Sequence, residues 1–297
     1  MRLRTRLERL PGPSAVAIGN FDGFHAGHRR IIGTLRAEAQ QRGLAAVVLT
    51  FRPHPRVFFG QPIRLISTDA QRLESLRSQA LDRLFFIDFA AVAACPARDF
   101  IADILLRALR LHVLVVGGDF RFGRDREGDM ATLRREAAGR FTLIQAPDVE
   151  IDGCRVASSL IRKQLAAGAV RQAGRLLEKP YFIDGRVVRG AGRGRTLGFP
   201  TLNIASENAI LPPGVFHTRV DIGGASYPAL TNIGCAPTFG PGVPEPRIET
   251  HVPGFRRMVY GRKVRLHFID KIRDERKFAG AGDLAEQIRR DIASLAI

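Results

Sequence analysis

The chain has 297 residues, of which 45% are hydrophobic and 25% charged. This is enough for two cores and sits within the globular range, which excludes a disordered or fibrous chain. Its formal charge of +17 is spread out: residues 1–180 carry 29 basic and 18 acidic side chains, and residues 181–297 carry 17 and 11. There is no block of five like charges, and only five of the 46 basic residues are Lys. Such a surface attracts phosphates in general, and no nucleic-acid partner is expected. The apolar runs at 44–49 and 113–116 fall far short of the roughly 20 residues a membrane-spanning helix needs. The basic start is not followed by an apolar signal region. A cytoplasmic protein without a membrane partner is expected, and oligomeric state is left open.

Residues 15–19 form a short apolar run. The following stretch, 28–41, places Ile31, Ile32, Leu35 and Ala39 at helical spacing. Runs at 45–51, 84–89, 113–117 and 141–146 read as buried strands. Helical patterns lie between them at 68–79, 97–109 and 130–137, and a last one covers 158–177. This alternation predicts an α/β domain with a doubly wound parallel sheet, whose ligands sit beyond the carboxyl ends of the strands. Cys95, Cys154 and Cys235 are too far apart for a zinc site or a disulfide framework and read as buried or inert thiols.

Lys179-Pro180 is a natural boundary, giving domains 1–180 and 181–297. Beyond it the chain is rich in Gly, Pro and β-branched residues. Strand-like pieces at 181–188, 215–222, 229–233, 248–252 and 264–269, with turns at Gly223-Gly224 and Pro241-Gly242, predict a small β-barrel or sandwich. A closing helix at 283–295 carries Leu284, Ile288 and Ile292 on one face.

Two segments carry the chemistry. The first is Gly19-Asn20-Phe21-Asp22-Gly23-Phe24-His25-Ala26-Gly27-His28, between the first buried strand and the first long helix. Backbone N–H groups at a helix start attract phosphate, and two imidazoles three residues apart can donate hydrogen bonds to a charge-developing phosphoryl oxygen. A nucleotide site, a metal-binding pair and a glycine-rich turn with surface histidines are all compatible with these residues alone. Similarly, Ser158-Ser159 reads as phosphate ligands or as a helix N-cap, and Phe120 and Phe122 as site or as strand core.

The second segment is Gly190-Ala191-Gly192-Arg193-Gly194-Arg195-Thr196-Leu197-Gly198-Phe199-Pro200-Thr201-Leu202-Asn203. It is neither a Walker A loop nor a Rossmann fingerprint, yet a Gly/Arg loop can wrap phosphates. Thr201 and Asn203, two apart on an extended segment, project to the same face and can complete an oxygen shell around Mg²⁺.

The first segment resembles the His-x-Gly-His signature of the nucleotidyltransferase superfamily. More closely it resembles the adenylyltransferase module of the prokaryotic bifunctional riboflavin kinase/FAD synthetases. Thr50-Phe51-Arg52-Pro53-His54-Pro55, Gly118-Asp119-Phe120-Arg121-Phe122-Gly123 and Ala157-Ser158-Ser159-Leu160-Ile161-Arg162 follow in the family's order. Ala157 and Ser159 replace Ser and Thr of the family pattern, and Arg52 stands where Glu is usual. The second segment resembles the riboflavin kinase signature Gly-Arg-x-Leu-Gly-Phe-Pro-Thr-Ala-Asn. Glu249-Thr250-His251, Tyr260-Gly261-Arg262 and the run from Arg273 to Phe278 follow it, whereas Val252-Pro253-Gly254-Phe255 departs from the usual acidic loop.

The resemblance implies a Rossmann-like nucleotidyltransferase domain over 1–180 and a kinase barrel with a closing helix over 181–297. It implies riboflavin, FMN and ATP as substrates, Mg²⁺ with ATP, and flavins as substrate and product rather than as resident cofactor. It assigns Gly19, Asn20, Phe21, Asp22, Gly23, His25, His28, Asp119, Ser158, Ser159 and Arg162 to ATP in the first domain, with His25 and His28 catalytic. Phe51, Pro53, His54, Phe120 and Phe122 fall to the flavin there. In the second domain it assigns Gly192, Arg193, Gly194, Arg195 and Gly198 to phosphates, Thr201 and Asn203 to the metal, and Glu249 to the base. Arg273, Glu275 and Phe278 fall to the flavin.

Overall fold

The computed structural model describes residues 2–190, 192, 194, 197–235 and 246–295. The chain divides into two compact units, Met1–Ser158 and Ser159–Ile297.

The first unit is built on a six-stranded sheet. Its strands are β1 (Arg2–Arg4), β2 (Ser14–Ile18), β3 (Ala45–Arg52), β4 (Arg83–Asp88), β5 (Leu111–Val116) and β6 (Thr142–Gln145). They lie in the order β1-β4-β3-β2-β5-β6 with all five pairings parallel. Val16, Ile18, Val47 and Leu49 belong to one core cluster, and Ala15, Ala17, Ala46 and Val48 to another. Successive strand residues thus enter cores on opposite faces, which is why the strands read as unbroken apolar runs. Helices Ala26–Arg42, Asp69–Arg77 and Met130–Ala137 occupy expected stretches, and Phe100–Ala108 winds as a π-helix.

The chain proceeds outward from β2 through β3 to β4, then returns to β5 on the other side of β2. The crevice beyond the carboxyl ends of β2 and β5 is therefore the topological switch point of the sheet.

Two features escaped the sequence pattern. β1 is a half-exposed Arg-Leu-Arg strand paired to β4 at the sheet edge, too short and too basic to show periodicity. A two-residue hairpin pairs β7 (Glu150–Ile151) with β8 (Cys154–Arg155). That hairpin leaves Cys154 exposed, so of the two readings, buried or inert, burial does not hold for it.

In the second unit the predicted helix over 158–177 is two helices, Ser158–Ala166 and Val170–Leu177. Gly168 interrupts them at φ 74°, where a Cβ would come within 2.8 Å of the Pro213 carbonyl. The apolar period runs across this break, which hides it from the sequence.

The barrel closes in the order β10-β13-β12-β11-β14-β9. Its strands are β9 (Tyr181–Val188), β10 (Thr201–Ser206), β11 (Gly214–Ile222), β12 (Ala225–Cys235), β13 (Pro246–His251) and β14 (Lys263–Arg273). Phe216, Val220, Ile233, Ile248, Leu266 and Phe268 fill it. Helix Ala281–Ala293 lays Ile288 and Ile292 against Val215 and Leu230. It is tied down by Arg273, whose guanidinium meets the buried Asp291 carboxylate at 2.8 Å.

Helix Val170–Leu177 packs on β14 and β9, with Val170, Ala173, Leu176 and Leu177 buried. Arg171 pairs with Asp270 at 2.6 Å. Full burial of each Val or Leu is worth about 1.5–3 kcal/mol. A fragment of residues 159–297 is therefore expected to melt well above one of residues 181–297. Equal midpoints by calorimetry would show that the helix adds nothing to the barrel. Among the described residues, no helix is long and apolar enough to cross a membrane.

Candidate active sites

The first motif follows β2 and lies at the switch point. Two non-glycine residues in its turn, Phe21 and Phe24, adopt left-handed backbone with φ 51° and 42°. Both rings are buried, and such strain is held by the surrounding packing. Gly23, at φ 80°, sits 3.0 Å from Ile66 at the place where a Cβ would stand, and its N–H donates to Ser67 Oγ at 2.7 Å. Asp22 is buried, and its carboxylate accepts from Ile66 N at 3.0 Å and Ser67 N at 3.0 Å. Arg72, also buried, donates to the carbonyls of Asn20 and Phe51 and pairs with Asp69 at 2.7 Å. The carboxylate of Asp22 thus faces the protein and shapes the turn.

His25 is the N-cap of helix Ala26–Arg42, and its Nδ1 accepts from His28 N at 3.4 Å. The two imidazoles stack with centroids 3.7 Å apart and 17° between planes. Gly27 keeps the stack open, since a Cβ there would lie 3.2 Å from the His25 ring. Face-to-face rings do not converge their nitrogens on one ion. Among the described residues, no group of three His, Cys, Asp or Glu could hold a metal, so the metal-pair alternative has no third ligand.

Burial, then the charges of His25 and Arg29, hold His28 well below the ordinary imidazole pKa. Its buried Nδ1 meets no hydrogen-bond partner among the described residues. At neutral pH His28 is an uncharged ring. Protonation favours the unfolded chain, where the imidazole keeps its ordinary value near 6.5. The stability due to the neutral ring is present above that value and lost as pH falls from it toward the depressed folded pKa. The melting midpoint of the first unit should drop on acidification across this window, and His28→Ala should flatten the drop. A variant with an unchanged acid profile would contradict the assignment.

The second wall of the crevice is the turn after β5. Asp119 is exposed and lies 3.8 Å from Arg155. Phe120 stacks on Phe122 at 5.6 Å and 11°. Phe122 is a core residue packed on Phe100, and a Cβ at Gly128 would strike its ring. Phe51, within β3, is buried, and past the strand His54 caps the single turn Pro55–Phe58 by accepting from Arg56 N at 3.1 Å, with Pro53 just before it. Ser158 Oγ donates to the Asp22 carbonyl at 3.1 Å. Ser159 and Arg162 occupy the first turns of helix Ser158–Ala166.

The second motif leads into β10. Arg193 and Arg195 lie outside the described residues; Gly192 and Gly198 take φ 71° and 86°. Phe199 N donates to the Gly194 carbonyl at 2.8 Å. His251 Nδ1 lies 2.9 Å from the Pro200 carbonyl and its ring meets Phe199 edge-on, pinning the start of β10.

Asn203 and Glu249 are directly paired across β10 and β13, and Thr201 pairs with His251. A Cβ at Gly190 would collide with the Asn203 amide, and one at Gly194 would lie 3.3 Å from Thr201 Oγ1. Bare glycine backbone thus faces both oxygen donors, leaving the kind of close approach a phosphate-bound cation requires. Sequence reasoning missed Asn232, which faces Glu249 from β12. Glu275 accepts from Asn232 Nδ2 at 3.3 Å, and Phe278 lies under Arg273 and Arg276.

The fold and these two motif turns define a two-module transferase, a nucleotidyltransferase sheet followed by a kinase barrel. The family model described as FAD synthetase matches residues 8–160, and that described as riboflavin kinase matches residues 177–296. The chain is 36% identical to the bifunctional riboflavin kinase/FMN adenylyltransferase of Bacillus subtilis, over 94% of this chain and 90% of that protein. It is 37% identical to that of Pseudomonas fluorescens, covering 93% and 90%, and 36% identical to that of Escherichia coli K12, covering 96% and 93%. A crystal structure described as a macrolide-efflux protein from Streptococcus pneumoniae superposes with TM-score 0.88 at 29% identity, covering 98% of this chain and 97% of that one. The chain belongs to the bifunctional riboflavin kinase/FMN adenylyltransferase family.

Proposed function

We propose that the barrel phosphorylates riboflavin to FMN and that the parallel-sheet module joins FMN to the adenylyl group of a second ATP, giving FAD. The observation that carries this reading is the pairing of Asn203 with Glu249 on adjacent strands, beside a glycine loop, in a chain whose other half places stacked histidines at a switch-point helix start.

In the barrel, Thr201 and Asn203 would hold Mg²⁺, which neutralises phosphate charge when bound. The glycine loop, including Arg193 and Arg195, cradles the phosphates. Glu249 takes the proton of the flavin's terminal chain hydroxyl as its oxygen attacks the γ-phosphorus; the bond to the β–γ bridging oxygen breaks and ADP leaves. Such catalysis is mainly positioning and charge stabilisation. Glu275 and Phe278 border the flavin side.

In the sheet module, a phosphate oxygen of FMN attacks the α-phosphorus of ATP and pyrophosphate leaves, so no covalent nucleophile is required. The imidazoles of His25 and His28 donate to the charge-developing oxygens, helped by N–H groups of the helix start and the Ser158 hydroxyl. Asp119 borders the nucleotide, and Phe120 with Phe51 and His54 the flavin.

ATP labelled at different phosphorus atoms tests the whole reading. From riboflavin, γ-label should enter FMN, and α-label should enter FAD alone. Absence of α-label from any flavin product would remove the adenylyl step.

A further inference from the structure

Asn232 belongs to none of the assigned motif positions, yet its geometry sets it apart. Thr231, Ile233, Ile248, Thr250 and Ile204 are buried, so the residues alternating with them on β12, β13 and β10 face away from the barrel interior. Asn203, Glu249 and Asn232 form one rung on that face, because Glu249 is the direct partner of Asn203 on one side and of Asn232 on the other. Neighbouring rung members are about 5 Å apart.

The amide of Asn232 is oriented by its neighbour. Nδ2 donates to Glu275 Oε1 at 3.3 Å, and an ionised carboxylate can only accept, which fixes which amide atom faces it. Gly234 assists, since a Cβ there would collide with the Glu275 carboxylate. Asn232 Oδ1 is buried and has no hydrogen-bond partner among the described residues. A buried amide oxygen requires a donor, and the adjacent Glu249, when ionised, supplies none. The rung is also ordered. Asn203 marks the metal and phosphate side, Glu249 the centre, and Asn232 the opposite side, where the acceptor substrate must lie.

Resting on the kinase reading above, we infer that Asn232 is a specificity-determining residue. Its Oδ1 accepts a hydrogen bond from a secondary hydroxyl of the substrate's sugar-alcohol chain while the terminal hydroxyl lies at Glu249. The ligand class is a flavin bearing a polyol.

The test uses the full chain with riboflavin and with flavin analogues each lacking one secondary chain hydroxyl. The native protein should prefer riboflavin over one of these analogues by about 10–100-fold in kcat/KM, as expected for a buried acceptor left unpaired. Asn232→Leu should lose about that factor toward riboflavin, leave KM for Mg·ATP unchanged, and reduce the preference to near unity. The double variant Asn232→Asp with Glu275→Gln exchanges donor and acceptor between these two side chains, keeps an acceptor oxygen for the substrate and should keep the preference, which reads the assignment even if the Leu variant folds poorly. An Asn232→Leu protein that still discriminates against that analogue, or an Asn232→Asp, Glu275→Gln protein that has lost all preference, overturns the inference. A native protein that makes no FMN at all would instead overturn the kinase reading on which it rests.

Discussion

Glu249→Gln is expected to lower kcat for FMN formation by at least about a hundredfold, because a general base contributes about 10²–10⁴ in the transition state. The substitution keeps the side chain's size and one acceptor oxygen but cannot take the substrate proton. Its effect should appear in kcat more than in KM for riboflavin, and adenylylation of supplied FMN should be intact. The rung geometry makes this test sharp. Glu249 is flanked by two amides, Asn203 and Asn232, so a glutamine fits without new charge or bulk. Were Glu249 an ordinary solvated strand residue, the change would cost a few tenths of a kcal/mol in stability and little rate. A Gln variant with near-native kcat would refute the base assignment.

The second large effect is expected at His28. Removing one preorganised donor typically costs about 10²–10³ in rate, so His28→Ala should cripple FAD formation while FMN formation continues. The structure gives His28 the features this proposed role needs. The ring stacks on His25 at 3.7 Å, and burial together with the neighbouring charges opposes its protonation. It can therefore hydrogen-bond to phosphoryl oxygens as an uncharged donor across the neutral pH range. Equal loss of both activities in a variant of native stability would count against the role.

Much of the architecture was legible because both modules obey simple periodicities. The apolar runs of β2, β3, β4 and β5 mark strands buried on both faces, and the short β-rich pieces separated by turns mark a barrel or sandwich, which the structure closes into a barrel. What the sequence hid was local. The break at Gly168 depends on the carbonyl of Pro213, far along the chain, and β1 depends on pairing with β4. β10 was concealed inside the glycine-arginine motif, whose composition suggests a loop although Thr201–Ser206 is a barrel strand.

The sites were legible in the same uneven way. Spacing placed His25 and His28 together at a helix start. It did not reveal that Asp22 turns inward to Ile66 and Ser67, or that Arg273 is bound to Asp291 of the closing helix. Those contacts join segments distant in sequence. Asn232 was invisible because a lone Asn on a strand carries no signal until register puts it opposite Glu249.

The central claim is that two chemically distinct ATP-using sites, one per module, act in series. Mixing Glu249→Gln and His28→Ala proteins with riboflavin and Mg·ATP tests it most directly. Each variant alone should form little FAD. The His28→Ala protein should release FMN, and the Glu249→Gln protein should convert that FMN, so the mixture should restore FAD synthesis. A mixture that yields no more FAD than the variants do separately would contradict the two-site account.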